Sequence, residues 1–235
     1  MKATNFSWSY SKLKNFETCA RRYKEIDVDK TIEQPRSAEL DRGDDLHAAM
    51  QRRVQGTTPL PPQFIYMEPW AEKLTRVLHP FQIIQCELKL SMNKAGLPTG
   101  YFDKTTWYRA KIDYFRLMPT GVDGVDYGHI VDYKTGKPPR FPDNTQLMLS
   151  AWTIFQHYKT VQNVRVDYLW TEYSDTSHEN YGRHEMPAQL EQLTPRVTAL
   201  ETAHRNDDFP PKPNGLCYEY CDVIKCEFHG KRSKR

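Results

Sequence analysis

The run Gly128-His129-Ile130-Val131-Asp132-Tyr133-Lys134-Thr135-Gly136-Lys137 constrains the fold more than any other stretch of this chain. It reads as a β-branched strand that has to stop, because the following Lys137-Pro138-Pro139 cannot continue a ladder. Alternation along a strand puts Asp132 and Lys134 on one face, and Val131 and Tyr133 on the other. Upstream, Trp107 to Leu117 is a second strand candidate, and it carries Asp113. The segment Met118 to Gly124 between them is rich in turn residues and includes Asp123-Gly124, a hairpin signal. Antiparallel pairing would bring Asp113 and Asp132 together beside Lys134. Two hard oxygen ligands and an ammonium in one place suit a magnesium-dependent hydrolytic site. A surface ion pair on an ordinary hairpin is the alternative reading of the same residues, since Asp-x-Lys is a common spacing.

The flanking sequence has the periodicities of a mixed domain. Leu13, Phe16, Ala20 and Tyr23 recur at helical steps after Ser9 and Ser11, either of which could cap a helix over about 9–25. A second helix, about Ser37 to Val54, sets Leu40, Gly43, His47, Met50 and Val54 on one face. Gly43 costs such a helix about 1 kcal/mol against Ala, and it would allow close approach to His47. A histidine on an apolar face is commonly a satisfied core residue, so His47 is open to that reading as well. Pro69 to Val77 is a short helix candidate. Phe81 to Leu90 alternates, with Ile84, Cys86, Leu88 and Leu90 facing one way and Gln85, Glu87 and Lys89 the other. Asn144 to Tyr158 is helical and places Gln146 and Ser150 near its N-terminus, where backbone N–H groups favour phosphate. Asn163 to Thr171 reads as a strand and Pro187 to His204 as a closing helix. The order helix, helix, three strands, helix, strand, helix is an α/β domain with a central mixed sheet flanked by helices.

Composition narrows the setting. The 235 residues suffice for one large domain with a proper core, and a hydrophobic content of 38% fits a globular chain. No apolar run approaches a membrane span, and Met1-Lys2-Ala3-Thr4-Asn5 does not read as a signal peptide, so an intracellular, cytoplasmic location with no membrane partner is expected. A net charge of +3 is too small for a wholly basic surface; the one clear basic run is the tail Lys231-Arg232-Ser233-Lys234-Arg235, either a solvated end or a phosphate contact. Of five cysteines, Cys217, Cys221 and Cys226 cluster, which in an intracellular chain suggests metal before disulfides. Cys86 reads as core.

Taken in order, Gly43-x-x-x-His47, Glu87, Asp113, Asp132-Tyr133-Lys134-Thr135-Gly136 and Gln146 resemble the RecB-type branch of the PD-(D/E)XK nuclease superfamily. The opening Ser9-Tyr10-Ser11-Lys12-Leu13 with Cys19-Ala20-Arg21-Arg22-Tyr23, and the closing Cys217, Cys221 and Cys226, resemble it too, so the likeness runs from about Phe6 to Cys226. Ser150 stands where the family often has tyrosine, and the first gap between the closing cysteines is a residue wider than its commonest form.

The resemblance implies a restriction-endonuclease-like core and a metal-dependent DNA nuclease. His47, Asp113, Asp132 and the Tyr133 carbonyl would hold Mg²⁺ or Mn²⁺, with Glu87, Lys134 and Gln146 completing the catalytic set. It also implies that Cys19, Cys217, Cys221 and Cys226 hold a 4Fe–4S cluster joining the chain ends, with a four-cysteine Zn²⁺ site or plain thiols as alternatives. The expected substrate is DNA, as ends or single strands. The expected activity is exonucleolytic processing in recombination, repair or phage replication, in a bacterial or phage-infected cell. No helicase motif is present, so unwinding would fall to a helicase or recombination partner. A structure- or sequence-specific endonuclease is the nearest alternative; a non-catalytic DNA-binding subunit and a zinc-bound interaction protein are others.

Overall fold

The computed structural model describes residues 6–33, 37–56, 58–139 and 143–231; of the basic tail, all but Lys231 lies outside them. The chain divides into two compact units, Ser37–Gln189 and the paired ends Met1–Arg36 with Leu190–Arg235.

The unit Ser37–Gln189 is built on one five-stranded sheet, with β1 (Ile83–Met92), β2 (Tyr108–Val122), β3 (Val125–Lys134), β4 (Val161–Trp170) and β5 (Asp175–Gly182) side by side in chain order. Every neighbouring pair is antiparallel except β3 and β4. A parallel pair needs a crossover, and helix α5 (Thr145–His157) supplies it. The expected α/β architecture, a mixed sheet flanked by helices, is the one observed. The turn between β2 and β3 shrinks to Asp123-Gly124, Gly124 taking φ +71° and Val122 pairing with Val125. The irregularity between Pro119 and Val122 lets β2 absorb a proline that no regular ladder accepts.

Helix α3 (Ala38–Gln55) begins where Ser37 Oγ accepts from Leu40 N–H at 3.3 Å, with Glu39 and Asp41 against the positive end of the helix. Its buried stripe is Leu46, Ala49, Met50 and Val54; Leu40, expected on that face, is 61% exposed. With α4 (Glu68–Thr75) it covers Cys86, Tyr114, Val131, Tyr133 and Leu169, the core on one face of the sheet. On the opposite face, Asp132 and Lys134 meet Gln146 of α5. The strand β5 was not anticipated, because Asp175-Thr176-Ser177-His178-Glu179-Asn180-Tyr181-Gly182 has no apolar alternation and buries only its last two residues.

The alternation expected for β1 breaks at Glu87, whose φ is +54°. Cys86 pairs with Tyr114, whose hydroxyl donates to Leu74 O of α4 at 2.9 Å. Met92 pairs with Tyr108, whose ring packs on Trp152 of α5 at 5.7 Å. Tyr108 and Tyr114 are in phase on a regular strand, yet they face opposite helical layers. The hairpin exchanges its faces at Glu87 and Asp113, so Cys86 lies on one side and Leu88 and Leu90 on the other.

In the unit formed by the chain ends, α1 (Tyr10–Thr18) is capped by Ser9 Oγ, which accepts from Lys12 N–H at 3.4 Å. The helix expected as one piece is broken at Cys19, which is extended (φ −164°, ψ 111°) before α2 (Ala20–Tyr23) and a π-turn over Lys24–Val28. Its core gathers Leu13, Ala20 and Tyr23 with Leu193, Val197 and Leu200 of α6 (Met186–Asn206) and with Phe209. The Cys217 to Cys226 segment opens with the short helix α7 (Leu216–Glu219).

Candidate active site

The ladder between β2 and β3 ends at Tyr114 and Val131, so the next two residues along, Asp113 and Asp132, stand opposite each other where the strands part. Each carboxylate is 8% exposed. Asp113 Oδ2 accepts the backbone N–H of Tyr133 at 2.8 Å, a bond that takes the place of the missing ladder and holds the fork at fixed width.

Two sets of side chains meet at this fork. On one side, His47 Nδ1 lies 3.3 Å from Asp113 Oδ1 and 3.9 Å from Glu87 Oε1, and one donor atom from each of the three residues falls within 4.8 Å of the others. The ring of Tyr133 meets that of His47 edge-on at 5.5 Å. Lys111, two residues before Asp113 on β2, forms an ion pair with Glu87. Sequence reasoning passed over Lys111, although its spacing from Asp113 puts both on one face. On the other side, Gln146 Nε2 donates to Asp132 Oδ1 at 2.6 Å, Lys134 Nζ donates to Gln146 Oε1 at 3.1 Å, and Lys134 Nζ sits 2.7 Å from Asp132 Oδ2. The last contact is an ion pair, and Oδ2 is buried with no other donor on it. Thr171 Oγ1 donates to Lys134 O at 3.2 Å, and the ammonium lies 5.2 Å from the centre of the Tyr168 ring. Ser150 Oγ turns back to Gln146 O at 3.0 Å.

Crowding of charge out of water shifts these groups. Burial pushes Asp132 up to about 6, with the neighbouring Asp113 adding to the rise and Lys134 and His47 opposing it. Burial lowers His47, but its hydrogen bond to Asp113 and the charges of Asp113, Asp132 and Glu87 outweigh that, and its net shift is upward. A fork that raises both a carboxyl and a histidine is short of positive charge.

Among the described residues, His47, Glu87 and Asp113 are the one group of three or more His, Cys, Asp or Glu side chains gathered this tightly. One nitrogen and two carboxylates make a donor set for a divalent cation, and the buried Asp132 carboxylate beside them, raised by its burial, fits the same need. The structure thus brings Glu87 into the group expected to hold metal, while Asp132 is drawn toward Lys134 and Gln146.

A model of the PD-(D/E)XK nuclease superfamily matches residues 7–226. The chain belongs to this superfamily. Its members use divalent metals, and the trio of His47, Glu87 and Asp113 can bind one. A search of curated proteins finds no match. Among solved structures, the chain resembles that of a "Putative exonuclease" from Eubacterium rectale, with a TM-score of 0.52 and 15% identity, covering 94% of this chain and 88% of that one. It is also similar to SSO0001, with a TM-score of 0.45 and 13% identity, covering 96% and 86%. At these identities the first likeness shows the fold alone.

Cys19, Cys217, Cys221 and Cys226 all belong to the unit of the chain ends. Cys19 Sγ accepts from Lys212 N–H and Cys217 Sγ from Asn214 N–H, each at 3.4 Å. Burial raises the Cys221 thiol, and Cys217 and Cys19 are close enough to raise it further. Among the described residues, no three of these cysteines form a group that could hold a metal ion as they stand. Cys86 is buried in the sheet's core and pushed up to about 12 by that burial, as a structural thiol should be. No helix of the described residues is long and apolar enough to cross a membrane.

Proposed function

We propose that this protein is a Mg²⁺- or Mn²⁺-dependent deoxyribonuclease of the RecB-type branch, acting as an exonuclease on DNA ends. The observation that carries the reading is the fork, where Asp113 and Asp132 part beside Lys134 with His47 and Glu87 closing one side. Phosphodiester hydrolysis needs charge neutralised at the scissile phosphate and a water made nucleophilic near neutral pH, and a divalent cation held by His47, Glu87, Asp113, Asp132 and the Tyr133 carbonyl would supply both. Lys134 places an ammonium where a water or a developing negative charge would sit, and it orients the one or offsets the other. Gln146 bridges Asp132 and Lys134 and so fixes their separation. Asp113, anchored by the Tyr133 N–H, keeps its second oxygen turned toward His47.

The four cysteines hold a 4Fe–4S cluster in this reading. Amide hydrogen bonds to Cys19 and Cys217 suit thiolate ligands. A four-cysteine Zn²⁺ site is the alternative. The cluster would tie Cys19 to the closing segment, within the unit formed by the chain ends. The biological setting is DNA recombination, repair or phage replication in the cytoplasm of a bacterial or phage-infected cell, with a helicase or recombination protein as partner.

The test is to incubate the anaerobically purified protein with matched linear and circular DNA and Mg²⁺, Mn²⁺ or EDTA, beside Lys134→Ala. Metal-dependent loss of the linear DNA alone, abolished in the variant, supports the reading. Cutting of the circle moves it to an endonuclease, and no hydrolysis under any condition sinks it.

A further inference from the structure

Beyond the fork, α3 and the β1–β2 hairpin enclose a cleft of about 740 Å³, lined by Gln51, Gln55, Gln85, Glu87, Lys89 and Lys111 among others. Its two walls both start at the metal trio. From His47 the helix presents Gln51 and Gln55 at successive four-residue steps, about 6 Å apart along one side. From Glu87 and Asp113 the hairpin presents the cross-strand pair Lys89 and Lys111, about 6.8 Å further out. The face exchange at Glu87 is what turns these residues toward the cleft and the apolar Leu90, Met92 and Tyr108 away from it. The row ends at Tyr101, whose carbonyl accepts from Arg109 Nε at 2.6 Å and whose ring lies 6.0 Å from Lys89 Nζ, beside the 82% exposed Phe102.

We propose that this cleft carries the sugar–phosphate backbone of a single DNA strand away from the scissile phosphate, with the ring of Phe102 as the outer stacking platform. The inference rests on the nuclease reading and adds the substrate form. Cations and amides at regular steps match the repeat of an extended strand, and lysine and glutamine contact phosphate and sugar without reading sequence. No aromatic side chain lines the cleft itself, so bases are not gripped there. In this assignment the gap between the helix and the strands it packs on takes one strand rather than a duplex. Binding is therefore expected to favour single strands and to be indifferent to sequence.

The experiment measures anisotropy of a labelled oligo(dT) and of a blunt, closed DNA hairpin across a NaCl series in EDTA, for the whole protein and for Lys89→Gln and Gln51→Glu. Lys89 is solvent-exposed and Gln51 half-buried on a helix surface, so both variants should fold, as their far-UV spectra will show. Lys89→Gln is expected to reduce the slope of log K against log salt on oligo(dT) by about 0.7, the value for one phosphate contact on a single strand. Gln51→Glu is expected to weaken oligo(dT) binding several-fold, and binding of the hairpin should change little in either variant. Unchanged slope and affinity in both variants, or equal losses on the hairpin, would overturn the track. Hydrolysis of bis(4-nitrophenyl) phosphate, too small to reach the cleft, reports on the fork separately: if the unaltered protein fails there and on DNA with metal, the nuclease reading fails instead.

Discussion

Glu87 is the residue where backbone and function meet, and the backbone half can be tested without any catalysis. With φ at +54° it occupies the left-handed region, which costs a non-glycine residue roughly 1–2 kcal/mol. At an ordinary strand position, replacing alanine by glycine loses about 0.5–1 kcal/mol. At position 87 the strain is larger than that loss and of opposite sign, so Glu87→Gly is expected to be more stable than Glu87→Ala by about 0.5–1 kcal/mol. Both variants lose the carboxylate, its ion pair with the half-exposed Lys111 and its proximity to Asp113, so those contributions cancel in the comparison. In a chain of this size the difference is worth about 2–4 °C in melting temperature per kcal/mol, and urea unfolding followed by tryptophan fluorescence would resolve it. Both variants should bind Mn²⁺ more weakly. If alanine proves as stable as glycine, Glu87 is not left-handed in solution, and the exchange of faces that builds the site and the cleft is wrong.

Other outcomes follow from neighbouring residues. A Cβ on Gly43 would meet only Thr135, at 3.4 Å, an ordinary contact, so Gly43→Ala should raise stability by up to about 1 kcal/mol in a urea titration; a fall in activity despite that gain would show substrate passing over this turn. Gly128 is the opposite case: a Cβ there comes within 3.1 Å of Val164 and 3.3 Å of Phe115, and Gly128→Ala should destabilise by about 1–3 kcal/mol in the same assay. Metal affinity should fall as pH drops through about 6, where Asp132 takes up a proton, and the upward shift of His47 adds to the loss; calorimetry in buffers of different ionisation heat should record proton release on Mn²⁺ binding, and its absence would count against the ligand set. Burial holds His157 and His204 below the ordinary histidine value of about 6.5, so the unfolded chain binds the proton first. Their contribution to stability is complete above that value and is lost as pH falls below it, and His157→Gln with His204→Gln should flatten the difference in urea midpoint between pH 7.5 and pH 5.

Periodicity made much of the fold legible. Val131 and Tyr133 alternate with Asp132 and Lys134 in the structure as in the sequence, and Asp123-Gly124 turns the hairpin it signalled. What stayed hidden has definite causes. Strand β5 is a polar edge, so it carries no alternation to read. The helix over the first cysteine looked continuous because Leu13, Phe16, Ala20 and Tyr23 keep their spacing, yet an extended Cys19 divides it. Leu40 belongs to the apolar series of α3 by spacing alone; it sits in the first turn, beyond the buried stripe that begins at Leu46.

The site shows why composition of a strand is not enough. Gln146, Lys134 and Asp132 were recoverable because they lie on regular elements, where spacing decides facing. Glu87 came from the family resemblance and Lys111 was passed over; the side to which Glu87 turns depends on its own left-handed backbone, and no pattern of apolar side chains encodes φ at a glutamate. A regular strand would place Glu87 opposite Cys86 and leave Leu88 and Leu90 on the side of the α3 core. Exchanging the faces there lets one hairpin seal the core under α4 with Cys86 and Tyr114, pack Tyr108 against α5, and still turn Glu87 and Lys111 outward at the fork. The strain sits at the residue that a metal-binding carboxylate would occupy, and glycine, the residue that would relieve it, has no carboxylate to offer.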